Sequence, residues 1–82
     1  MKKEKLLLAN DLLNSIEEIE MIIAEIKFVL EIPIKERNPT LSVKGMINIV
    51  AIPDNIFVGL CNSMRFEYET QLKLLEDKFE KL

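Results

Sequence analysis

Between Glu4 and Glu31 the chain has no Gly and no Pro, and Ala9, Leu12, Ile16, Ile19, Ile23, Ile26 and Leu30 recur at alternating steps of three and four. Such steps average 3.5 residues per turn. They keep an apolar line on one side of an α-helix, the pattern of a coiled-coil seam. A helix over residues 4–31 is ~42 Å long at ~1.5 Å per residue. Leu8, Leu13, Ile22 and Val29 widen the stripe beyond a two-stranded seam, which implies contact with more than one neighbour. Glu17, Glu18, Glu20 and Glu25 make the rest of the surface acidic, and we read them as a solvated helix face. Pro33 ends the helix by pushing Ile32 into extended backbone.

After a polar stretch from Pro33 to Pro39 the period changes. Leu41, Val43, Ile47, Ile49 and Ala51 alternate with Thr40, Ser42, Lys44, Met46 and Asn48, a period of two rich in β-branched residues. The expectation is a β-element over 40–52, either one strand or a hairpin, with Gly45 as a bulge or as the tip. Pro53 suits the first position of a second helix, and Asp54 follows in the first turn, where negative charge suits the helix dipole. That helix is expected over 53–81. Phe57, Cys61, Met64, Tyr68, Leu72, Leu75, Phe79 and Leu82 make its apolar line. Consecutive steps of four at Met64–Tyr68–Leu72 break the heptad and predict a local change of supercoil. Arg65–Glu69, Glu69–Lys73 and Asp77–Lys81, each four apart, would each stabilise the helix by about 0.2–0.5 kcal/mol.

The expected fold is therefore mainly α, formally α+β, in one domain over 1–82. Two long antiparallel helices are joined by a short β-element and assembled as a homo-oligomeric helical bundle. Assembly follows from the surplus of apolar side chains. Two helices bury one seam each, yet Ile56, Leu60, Phe66 and Leu74 lie outside the second seam as Leu13, Ile22 and Val29 lie outside the first. A lone strand or hairpin is marginal in water, and pairing with its copy across a two-fold axis would satisfy both. A homodimer or a higher even oligomer is the expectation.

The residue inventory removes most chemistry. With no His and one Cys, neither Cys61 nor Ser15, Ser42 or Ser63 has an imidazole base to activate it. Glu17 with Glu20, and Glu76 with Glu80, share a helix face but do not flank a cleft. Gly45 and Gly59 have no phosphate-loop spacing. No enzyme, metal or cofactor is expected. Val58, Leu60 and Met64 around Cys61 favour a buried thiol. The apolar run Leu6–Ala9 stops at Asn10, short of the ~7–15 residues of a signal sequence. No run approaches the ~18 that span a bilayer. We expect a cytoplasmic protein with no membrane partner.

Charge points to one place. Residues 1–31 carry four cations against seven acids, and residues 54–82 carry four against six. Residues 32–53 carry Lys35, Arg37 and Lys44 against Glu36 alone. This central stretch also holds Asn38, Thr40, Ser42 and Asn48. Doubled by symmetry it makes an anion pocket, with Lys35, Arg37 and Lys44 for phosphates and the four polar side chains for orientation. The alternative is a solvated loop whose charges keep it soluble. Read as a helix-turn-helix, the second helix would open with Asp54 and Asn55 and no cation before Arg65, which argues against DNA.

The order of Leu/Ile/Glu helix, β-like centre, Ile52-Pro53-Asp54-Asn55-Ile56 entry and closing Tyr68–Phe79 helix resembles small phage-encoded helix–strand–helix accessory proteins of unknown function. It is also similar in plan to phage anti-defence sponges. That likeness implies a non-catalytic homo-oligomer that sequesters a nucleotide-derived immune signal at a subunit interface. The competing readings are a helical inhibitor or adaptor docking a host protein, and a structural coiled-coil oligomer.

Overall fold

The computed structural model describes residues 2–45 and 48–82. Helix α1 spans Lys3–Glu31, strand β1 Thr40–Leu41, strand β2 Val50–Ala51 and helix α2 Asp54–Glu80. The two helices pack side by side as a hairpin. The C-terminal end of α1 meets the N-terminal end of α2, with Ile26 and Val29 beside Phe57 and Cys61.

The seam of α1 is the expected one. Ile16, Ile23 and Ile26 are buried, and Ala9, Leu12, Ile19 and Leu30 are half-buried. Ser15, Ile22 and Val29, seven apart along one flank, are half-buried as well. Leu7, Met21 and Phe28 stand on the opposite side of the helix and are exposed.

The seam of α2 departs from the expected line at Met64. Asp54, Val58, Cys61, Arg65, Tyr68, Leu72 and Leu75 turn inward at steps of four and three, with Phe57 half-buried beside them, while Met64 is 48% exposed. Hydrophobicity selected Met64, but the helical phase selects Arg65. An arginine can lie in a seam because its aliphatic stem packs while its head reaches water. Here the guanidinium reaches Glu69 at 3.8 Å. The other two pairs, Glu69–Lys73 and Asp77–Lys81, do not come within ion-pair distance.

Between the helices the chain makes a turn and a ribbon. The Pro33 carbonyl accepts from the backbone N–H groups of Glu36 and Arg37. Strands β1 and β2 pair antiparallel, Thr40 opposite Ala51 and Leu41 opposite Val50. The Ile52 N–H donates to the Pro39 carbonyl at 2.9 Å and extends the ladder toward α2. So the β-element is a hairpin with very short strands rather than one strand over 40–52. Gly45 lies in its turn with φ +100°, a conformation that disfavours any side chain. Met46 and Ile47, part of the expected alternation, lie outside the described residues.

The molecule is long and thin. Its extents are 52 × 29 × 17 Å and its radius of gyration is 17.2 Å, against ~12 Å for a compact domain of this length. It exposes 6833 Å². A compact chain of 9.5 kDa would expose about 5,000 Å². Among the described residues, no helix is long and apolar enough to cross a membrane.

Candidate functional site

Arg37 sits where the turn after α1 feeds into β1. Its Nε donates to Asp54 Oδ1 at 2.9 Å and its Nη2 to Oδ2 at 3.0 Å, a two-pronged pairing. Its Nη1 donates to the carbonyls of Leu30 at 3.0 Å and Ile32 at 3.3 Å. The guanidinium carbon lies 5.8 Å from the centre of the Phe57 ring, within range of a cation–π contact. The Arg37 side chain is 8% exposed, and that of Asp54 is 31%.

This arrangement follows from helix ends. The last carbonyls of α1 have no partner within the helix, and the first turn of α2 attracts negative charge. Arg37 serves both ends at once. It caps carbonyls at the end of α1 and neutralises the acid that opens α2. Four of the five guanidinium N–H donors are engaged in this clamp.

Beside the clamp lies an open hollow of about 200 Å³, lined by Arg37, Asn38, Pro39, Thr40, Ala51, Ile52 and Asp54. It brings together three of the residues expected to bind an anion: Arg37, Asn38 and Thr40. The other four are exposed and lie elsewhere: Lys35 in the turn after Pro33, Ser42 and Lys44 beyond β1, and Asn48 before β2. The sequence reading placed Arg37 among the phosphate ligands and did not pair it with Asp54. The signal it lacked was closure of the hairpin. Only that closure brings positions 17 apart together.

A second cavity lies between the helices. It holds about 310 Å³ and is lined by Ile22, Glu25, Ile26, Val29, Phe57, Cys61 and Met64. Cys61 lies buried at its floor. Burial pushes the thiol pKa up from the ordinary 9.0, and the nearby Arg37 charge only partly opposes this. Near neutral pH Cys61 is therefore a thiol, the form that is a poor nucleophile. Among the described residues, no group of three or more Cys, Asp or Glu side chains is arranged to hold a metal ion.

Comparison with known protein families, with curated protein sequences and with solved structures finds no match to this chain.

Proposed function

We propose that the chain works by binding rather than by chemistry, as a homo-oligomeric helical-bundle module. One observation carries this reading. The chain exposes about 1,800 Å² more than a compact protein of its mass, and large apolar side chains on both helices contribute to that surface. Leu13, Met21, Phe28, Leu60, Phe66 and Leu74 are all exposed. Exposed large apolar side chains on both helices are the kind of surface that association covers. Mass measurement by light scattering across the micromolar range tests it. A multiple of 9.5 kDa is expected, and a well-folded single copy at every concentration would overturn the reading.

The hollow beside Arg37 favours a second reading, capture of a small anionic ligand such as a nucleotide-derived immune signal by a phage-type sponge. Asn38 and Thr40 supply polar groups there. Asp54 neutralises Arg37, so the cations for phosphate would come from Lys35 and Lys44 of this or a neighbouring copy. Among the described residues neither lysine makes an ion pair. The test is incubation with cyclic dinucleotides and ADP-ribose derivatives, removal of unbound ligand, heat denaturation, and recovery of intact nucleotide. Uptake by the parent protein, lost when Lys35→Ala and Lys44→Ala are combined, supports it. No uptake from any of these ligands counts against it.

A further inference from the structure

We propose that Asp54 is a built-in occupant of an anion seat: its carboxylate fills the place on Arg37 that a phosphoryl group would otherwise take, and so keeps phosphate out of the hollow. The proposal deepens the capture reading, on which its use to the protein rests, by naming the residue that decides which part of a ligand the hollow accepts.

The seat is the guanidinium edge formed by Nε and Nη2. Asp54 sets one oxygen on each, at 2.9 and 3.0 Å. A phosphoryl group offers that edge two acceptors in the same forked arrangement, and arginine pairs with either kind of group. Asp54 thus stands where such a group would bind. Arg37 does not depend on Asp54 alone for its position. Its Nη1 is tied to the carbonyls of Leu30 and Ile32 at the end of α1, and its guanidinium carbon lies 5.8 Å from the centre of the Phe57 ring.

Charge and access give the carboxylate its effect. The Arg37 side chain is 8% exposed and that of Asp54 31%, and both line the hollow. With Asp54 in place the pair is neutral, and a phosphate entering from solvent meets a carboxylate before it meets the cation. Without Asp54 the guanidinium is a buried charge lacking its counter-charge, which is costly. An anion from solution then offsets that cost in the same seat. What the closed hollow still offers is uncharged: the Asn38 amide and the Thr40 hydroxyl, beside Pro39 and Ile52. It therefore suits an uncharged, hydrogen-bonding part of a ligand and leaves the phosphates to Lys35 and Lys44.

The probe is inorganic phosphate at constant ionic strength, titrated into parent protein, Asp54→Asn and Asp54→Ala. Binding is read by NMR from the Arg37 Nε–H and the backbone amides of Asn38 and Thr40. Asp54→Ala is expected to bind phosphate at least ~10-fold more tightly than the parent, and Asp54→Asn, which keeps the shape without the charge, to fall between. Adding Arg37→Gln to Asp54→Ala should abolish the gain. No gain in either folded variant overturns the proposal. Where neither variant folds, the parent decides: an Arg37 Nε–H signal unmoved by millimolar phosphate supports the exclusion, and one that shifts overturns it. A gain that survives Arg37→Gln but disappears with Lys35→Ala and Lys44→Ala combined overturns the Arg37 seat and leaves the capture reading standing. A gain that needs Arg37, in a chain whose parent takes up no nucleotide, upholds the seat and counts against the capture reading alone.

Discussion

Arg37 shows how an exposed-looking loop cation becomes a structural part. Its neighbours Lys35, Glu36 and Asn38 are exposed, while its own side chain is 8% exposed and gripped by Asp54 and two carbonyls. Arg37→Ala is expected to destabilise the fold by about 2–3 kcal/mol in urea denaturation, less than the loss of a fully buried partner because Asp54 can rehydrate. Arg37→Lys should recover only part of that, since an ammonium cannot reproduce the two-pronged geometry. A double-mutant cycle with Asp54→Asn should give a coupling above ~1 kcal/mol; additive losses would show that the pair contributes nothing of its own. Cys61 makes a pH prediction. Its thiol pKa is raised in the folded chain. The stability that the neutral thiol contributes is therefore present below the ordinary pKa of 9.0 and lost as pH rises through the higher folded value. Parent protein should lose more stability than Cys61→Ala between neutral pH and pH above 9.0, and equal losses would refute this.

The two glycines distinguish the elements that hold them. Gly45 has positive φ in the ribbon turn, and Gly59 lies within α2 with open space around its Cβ position. Gly45→Ala should cost about 1 kcal/mol, because a Cβ strains that backbone whatever room surrounds it. Gly59→Ala should stabilise by about 0.5–1 kcal/mol through helix propensity and a less entropic unfolded chain. Paired thermal melts read both signs. Helix α1 was legible because its inward positions are all apolar or small, so pattern and burial coincide. Helix α2 was legible in extent and in most of its inward line, with Phe57, Cys61, Tyr68, Leu72 and Leu75 buried or half-buried. Its seam includes Asp54 and Arg65, which a search for apolar residues passes over. Alternation over 40–52 leaves one strand and a hairpin both open, and the folded chain takes the hairpin, turning at Gly45 with paired strands of two residues each.

The molecule as a whole presents a thin hairpin with a shallow core. Its described buried residues are Ile16, Ile23, Ile26 and Cys61. A single layer of contacts between two helices is a modest source of stability for a chain of this length. Association should therefore supply part of it, and the melting temperature should rise with protein concentration. A melting temperature that does not move over a wide dilution series would show that the hairpin stands alone. The acidic character of both helices also leaves little attraction for a phosphate backbone, so the purified protein should carry no nucleic acid that added salt releases.

What could be read in the amino-acid order is what depends on near neighbours: two long helices, the stop at Pro33, the restart after Pro53, and a β-like connector with Gly45 as a candidate turn. These follow from backbone restriction and from apolar spacing within a few turns. What needed the folded chain is whatever joins distant positions. The Arg37–Asp54 clamp and the place of Asp54 and Arg65 in the α2 seam both exist because one helix lies against the other. No local pattern encodes that contact, since a cation in a loop has the same sequence signature whether it faces water or a carboxylate that closure of the hairpin brings to it.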